Sequence, residues 1–326
     1  MCVSLRDFRR HAGQLAIAGF AGHTIPEDLR RLAKAFDLGG VIFFARNVAE
    51  PQQVAELSRE AQALAQELPL WVSVDQEGGP VARLRKPFTE WPPMITLGRS
   101  GDERLAERFA RALAAELKAV GISLDYTPVL DVRTNPGNPV IGDRALADRA
   151  EDVARLGAAI IRTLQAEGIA ACGKHFPGHG DTTTDSHHEL PVIDHPPDRF
   201  DAVELVPFKA AIAADVAAIM TAHILIPALD EERPATLSAA IERPLRSQRG
   251  DGAGHRGRVR CGADVSARPG RAGRRARDAD PRRRGRPSPG QARRGGGRAP
   301  AARQGTVSRA APLRAAGGAA PHDSGT

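Results

Sequence analysis

Residues 174–191 of this 326-residue chain read KHFPGHGDTTTDSHHELP, a stretch that holds four histidines, three carboxylates and a lysine. Pro177, Gly178 and Gly180 break regular structure, so these groups ride on an irregular loop, the kind of segment that carries chemistry on a rigid scaffold. Asp185 and His187 stand two residues apart in it, close enough for their side chains to meet. A carboxylate on one imidazole nitrogen fixes the tautomer and raises basicity, which leaves the other nitrogen to exchange a proton near neutral pH. His179, Asp181 and His188 read as groups that build the loop rather than react. Asp75 closes the apolar run 71–74. Standing alone, such a carboxylate is more often a turn or helix cap.

The elements that must position these groups alternate in type. An apolar, strand-like run at 168–173 leads into the loop, which sets Lys174 and His175 at the carboxyl end of a strand, where α/β enzymes build their sites. Further strands are expected at 15–20, 40–44, 70–74, 123–126 and 218–221, with helices between them. The clearest helix covers 102–120, with Leu105, Phe109, Leu113 and Leu117 at i, i+4 spacing and Gly121 at its end. A second covers 150–167, with Val153, Leu156, Ile160 and Leu164 on one face and Gly168 as its stop. Such alternation specifies parallel βα units. The expected fold class is therefore α/β, a (β/α)8 TIM-barrel type that is incomplete, with about six βα units legible.

The loop is similar to the signature of the bacterial β-N-acetylglucosaminidases of glycoside hydrolase family 3. The similarity runs on through Gly39–Phe44, Val74–Leu84, Tyr126–Val132, Ile141–Arg144 and Met220–Ile224, roughly residues 13 to 242. The resemblance implies a retaining glycosidase, which needs a nucleophile and an acid/base on opposite faces of the sugar. It makes His187, oriented by Asp185, the catalytic acid/base in place of the usual carboxylic acid. It makes Asp75, Arg83, Arg144, Lys174 and His175 contacts for the sugar and its N-acetyl group. Those types suit an uncharged polyol, since Asp accepts from hydroxyls while Arg and Lys donate to hydroxyl and carbonyl oxygens. Arg144 departs from the pattern, because Ala145-Leu146 follow where the family usually shows a small residue and then an aromatic one. His223, after the sixth strand, reads equally as a structural histidine or a ligand contact. The implied reaction is release of terminal β-linked N-acetylglucosamine from cell-wall-derived glycans, as in peptidoglycan recycling. The implied partner is a small carbohydrate, with no cofactor, no metal and a monomeric chain.

Composition changes where the resemblance stops. From Arg243 to Thr326 there are 21 Arg but no Lys, 5 Asp but no Glu, no aromatic residue, and 61 of 84 residues are Arg, Gly, Ala or Pro. The tail carries 21 − 5 = +16 and residues 1–242 carry 25 − 34 = −9, which together give the +7 of the whole chain. Two domains follow: a partial catalytic barrel over 1–242 and a basic tail over 243–326, expected to be disordered for want of core-forming residues. Arg, Gly, Ala and Pro are the residues with all-G/C codons, so the tail reads as out-of-frame translation of a GC-rich gene. With the frame advanced by one nucleotide from Arg249, the degenerate codons permit Val-Val-Val-Ser-Asp-Ala across 256–261. That string is similar to the strand that carries the family's nucleophilic Asp. The chain as written contains no such strand after Ile241, so the nucleophile is absent and activity is expected to be impaired.

Other readings of the same residues exist. His175, His179, Asp185, His187 and His188 are metal-ligand types and would make a metal-dependent hydrolase; Pro177 and Gly178, between the first two, remove the helical H-x-x-x-H context. The basic tail could instead grip nucleic acid, although no nucleic-acid partner is expected on the out-of-frame reading. Cys2, Cys172 and Cys261 form no metal or redox spacing, and an odd, sparse count fits a reducing compartment, hence the cytoplasm. The apolar run at Leu15–Phe20 is too short for a membrane span and weak as a secretion signal, so no membrane partner is expected.

Overall fold

The computed structural model describes residues 5–186, 188–242 and 260–261. Its elements in chain order are α1 (Leu5–Gly13), β1 (Ile17–Gly19), α2 (Glu27–Phe36), β2 (Gly40–Phe43), α3 (Pro51–Gln62), β3 (Trp71–Val74), the short strands β4 (Gln76–Gly78) and β5 (Val81–Ala82), α4 (Met94–Ser100), α5 (Glu103–Ala119), β6 (Leu124–Asp125), α6 (Ala150–Ala166), β7 (Ala170–Phe176), α7 (Pro197–Arg199), a π-helical turn over Phe200–Glu204, α8 (Leu205–Ala213), β8 (Ala218–Thr221) and β9 (Arg260–Cys261). The main sheet has the order β1-β2-β3-β6-β7-β8-β9, and every neighbouring pair in it is parallel. This is the curled α/β sheet of an open TIM-type barrel.

The helices form where apolar spacing and caps agree. Asp102 caps α5 by accepting from the Arg104 N–H at 2.9 Å, and Phe109, Leu113 and Leu117 are buried on its inner stripe. Burial of each such side chain contributes about 1.5–3 kcal/mol. On α6, Val153, Leu156, Ile160 and Leu164 are buried as their spacing requires.

Alternation along the strands separates two faces. Val41, Phe43, Val72, Val74, Ala171 and Ile219 join the large core beneath the helices. Ile17, Ile42, Trp71, Leu124, Tyr126, Cys172, Ala218 and Met220 form a smaller cluster on the concave face. One step further along the concave face of β3 and β7 come Asp75 and Lys174, so an apolar floor lies under the polar groups.

Two expectations need correction. β7 extends to Phe176, past the expected end at 173, and Lys174 and His175 lie at its carboxyl end as members of the strand. Ile219 is 1% exposed because it faces the helix layer; Leu15 is 72% exposed, while Ile17 and Met220 are half-buried. Within the tail that was expected to be disordered, Arg260 and Cys261 pair with Ala218 and Ile219 of β8. A ladder uses backbone N–H and C=O groups, so it can form where side chains offer no core. The rest of the 243–326 tail lies outside the described residues. The β4/β5 hairpin was not expected from the pattern.

Candidate active site

Lys174 is the hub of the site. Its Nζ lies 2.8 Å from Asp75 Oδ1 and 2.5 Å from Glu77 Oε1, and it is almost wholly buried. Glu77 also accepts two hydrogen bonds from Arg144, from Nε at 2.9 Å and Nη2 at 2.8 Å, while Arg144 Nη1 donates to the Val140 carbonyl at 3.0 Å. Arg83 brings Nη2 to 3.6 Å from Asp75 Oδ2. Its buried Nε has no hydrogen-bond partner among the described residues, which leaves a donor for a ligand oxygen. Four of the five expected sugar contacts, Asp75, Arg83, Arg144 and Lys174, are thus linked in one network.

His175, the fifth, is set by a different carboxylate. Asp131 Oδ2 lies 2.7 Å from His175 Nδ1, and Asp131 Oδ1 accepts the backbone N–H of His175 at 3.2 Å and of His179 at 2.7 Å. One buried side chain fastens both ends of the turn 175–179.

Charges balance here by proximity. Burial works against ionised Asp75 and Glu77, but Lys174 and Arg144 outweigh it and hold both carboxyls below the usual range, with help from Arg83 at Asp75. Burial disfavours the Lys174 ammonium too, and the two carboxylates overcome it and raise its pKa. Burial works against ionised Asp131 as well, and His175 and His179 outweigh it and hold the carboxyl below its usual range. Burial dominates at His175 and pushes the ring below its ordinary value, so it is neutral at pH 7. Asp125 behaves oppositely: fully buried, it is pushed up to about 8. Its Oδ1 accepts the Gln76 N–H at 2.9 Å, and its Oδ2 has no partner among the described residues.

Spacing alone missed Glu77, Asp131 and Asp125. Glu77 had a usable signal, since two residues beyond Asp75 in extended chain returns to the same face. Asp131 and Asp125 had none, because their partners come from β7 and from the turn after β3.

The loop groups divide in two. His179 is buried, with Nδ1 at 2.7 Å from Thr182 Oγ1 and Nε2 at 3.1 Å from Ser186 Oγ, so both ring nitrogens are occupied by hydroxyls and neither is offered to a metal. Asp181 accepts from Thr134 Oγ1 at 3.0 Å and pairs with His195 Nε2. These contacts are all internal to the loop and the segments beside it. Asp185 accepts the backbone N–H groups of His188 and Glu189 on its carbonyl, and its Oδ2 lies 4.0 Å from His188 Nε2. His187 lies outside the described residues. His223 is exposed, with Nδ1 2.8 Å from Thr236 Oγ1. No group of three or more His, Cys, Asp or Glu arranged to hold a metal ion occurs among the described residues.

The pattern described as the glycosyl hydrolase family 3 N-terminal domain matches residues 8–256. The chain belongs to glycoside hydrolase family 3. It is 39% identical over 260 residues to β-hexosaminidase A of Pseudoalteromonas piscicida, an alignment that covers 72% of this chain and 43% of that protein. It is 40% identical over 234 residues to a β-hexosaminidase of Thiobacillus denitrificans, covering 70% of this chain and 64% of the relative. The family 3 chain thus spans less than two thirds of either relative. Among solved structures it is similar to a family 3 β-N-acetylglucosaminidase from Paenibacillus sp. (TM-score 0.72, 48% identity, covering 76% of this chain and 47% of that one). It is also similar to NagZ from Neisseria gonorrhoeae in complex with N-trifluoroacetyl-D-glucosamine (TM-score 0.67, 37% identity, 72% and 70% covered).

Proposed function

We propose that this chain carries the sugar-binding half of a retaining β-N-acetylhexosaminidase, with terminal β-linked N-acetylglucosamine as its ligand. The observation that carries this reading is Asp75 held ionised between Lys174 and Arg83 at the carboxyl ends of the strands. A carboxylate fixed on its outer sides keeps lone pairs for sugar hydroxyls, and the unused Arg83 Nε supplies a donor beside it. His187, oriented by Asp185, is proposed as the acid/base, and His175 as a neutral acceptor to the sugar through Nε2. Cell-wall-derived glycans as source, a cytoplasmic setting and a monomeric state belong to the same proposal. The sparse cysteines support the setting.

The covalent half of the reaction is proposed to be lost, because no run similar to the family's nucleophilic Asp segment follows Ile241 in the sequence and the tail reads out of frame. Two measurements test this. Titration of N-acetylglucosamine into the purified full chain should show binding that Asp75→Ala abolishes, while a nitrophenyl N-acetylglucosaminide should release nitrophenol several orders of magnitude more slowly than with an intact family member. Robust release abolished by His187→Ala would refute the loss. The encoding DNA around codons 242–250, read together with mass spectrometry of tail peptides, decides the frame. A clean single frame confirmed in the protein would end that account.

A further inference from the structure

The loop that carries Asp185 and His187 is fastened at its neck from two sides. On the entry side the segment after β6 holds it: Asn138 Nδ2 donates to the His179 carbonyl at 2.8 Å, Asn135 Nδ2 to the Thr182 carbonyl at 3.2 Å, and Thr134 Oγ1 to Asp181 Oδ1 at 3.0 Å. A Cβ at Gly180 would come within 1.8 Å of the Val132 carbonyl oxygen, so the loop backbone lies directly on that segment. On the exit side stands His195, whose Nε2 donates to Asp181 Oδ2. Its ring is tilted against Phe200 at 6.2 Å between centroids, and Phe200 opens the π-helical turn that ends at Glu204. Gly178, at φ +135°, rests on that same Glu204, where a Cβ would meet Glu204 Cβ at 2.8 Å. π-turns are rare and recur at functional sites. Here one turn carries both the ring that backs His195 and the side chain under Gly178.

We propose that the Asp181–His195 hydrogen bond is a clasp that closes the neck of the loop and positions the acid/base pair within it. His195 is a positioning residue, acting through Asp181 and touching no substrate. The inference rests on the reading of Asp185 and His187 given above. Its physical basis is loop closure. Asp181 and His195 are 14 residues apart in sequence, and both partners of the proposed acid/base pair fall between them. Joining the two ends removes most of the conformational freedom that would spread those groups over many positions. Thr134 shares the Asp181 carboxylate, so the clasp also ties the loop to the segment that begins with Asp131, the anchor of His175.

Hydrogen exchange on the full chain, followed by mass spectrometry, tests the clasp. His195→Ala should speed exchange across 182–190 by about ten- to a hundredfold, the range for losing a hydrogen bond to a charged group, with α6 and β8 unchanged. His195→Gln, which keeps an amide donor near the position of Nε2, should restore exchange to within about threefold of the parent. Binding of N-acetylglucosamine should survive His195→Ala, because Asp75, Arg83, Arg144 and Lys174 lie in a separate network. Unchanged exchange at 182–190, equal loosening of α6, or no rescue by Gln would each overturn the clasp. Failure of the parent to bind N-acetylglucosamine would instead overturn the functional reading and leave the exchange result standing.

Discussion

The Nδ1 of His175 lies 2.7 Å from Oδ2 of Asp131, a carboxylate with no exposed surface. An ionised carboxylate accepts, so Nδ1 carries the proton and Nε2 is left as the acceptor of the ring. Because burial depresses the His175 pKa from 6.5, the unfolded chain takes up a proton below about pH 6.5 that the native ring refuses. This contribution to stability is complete above that pH and declines as pH falls below it. Asp131→Asn removes a charged acceptor that serves three donors. It should cost about 1.5–3 kcal/mol per charged hydrogen bond left unmade, read from urea midpoints at pH 7. A loss below about 0.5 kcal/mol, the size of an ordinary surface substitution, would mean that the turn 175–179 is held by something else.

Lys174 gives the second prediction. Its removal leaves Asp75 and Glu77 facing each other in a buried site, and breaking a buried ion pair by deleting one partner costs about 3–5 kcal/mol. Lys174→Met should therefore destabilise strongly, and the Lys174→Met/Glu77→Gln double variant should lose less than the sum of the two single losses, because each single change already breaks the same contact. A double-mutant cycle measures the coupling. Strict additivity would show that the 2.5 Å contact between Lys174 and Glu77 contributes nothing to folding.

Legibility in the sequence followed locality. The stripe of α5 and the stop after α6 were readable because helix periodicity and caps are short-range signals. The strands at β2, β3 and β8 were readable as β-branched or aromatic runs bounded by turns. The end of β7 was not, because Lys174 and His175 are polar residues kept in the strand by parallel pairing with β8 and by buried carboxylates from β3 and the segment after β6. Asp75, Arg83, Arg144 and Lys174 were found through resemblance, and the structure joins them through Glu77, whose role needed the third dimension. β9 was invisible to side-chain pattern because its pairing is a backbone matter.

Asp125 sets the pH dependence in the opposite sense to His175. Its carboxyl, pushed from 3.8 to about 8 by burial, keeps a proton that the unfolded chain releases. Between those values the native state binds more protons, so stability falls as pH rises, by up to about 1.4 kcal/mol per pH unit. Asp125→Asn should remove that slope while retaining an oxygen for the Gln76 N–H. Urea midpoints at pH 5, 7 and 9 should show the variant gaining on the parent as pH rises. Parallel curves would place the Asp125 titration near its ordinary value.

The acid/base assignment yields the last prediction, made for a chain whose frame is advanced by one nucleotide near residues 243–249. Asp185→Asn keeps the shape of the side chain but replaces a pure acceptor with a group that can also donate. His187 would then lose the partner that fixes its protonated nitrogen and that stabilises the imidazolium formed as it takes up a proton. General acid/base catalysis is worth about 10²–10⁴-fold, and a wrong tautomer forfeits most of it without moving substrate contacts. The kcat for a nitrophenyl N-acetylglucosaminide should therefore fall by about that factor while KM stays within about threefold, because the proposed sugar contacts Asp75, Arg83, Arg144 and Lys174 are untouched by the change. If Asp185→Asn raised KM and left kcat intact, the residue would be a sugar contact and the pairing with His187 would be wrong. His195→Ala in the same background should lower kcat in the same direction by a smaller factor, since it loosens the neck of the loop and leaves the chemistry of the pair untouched.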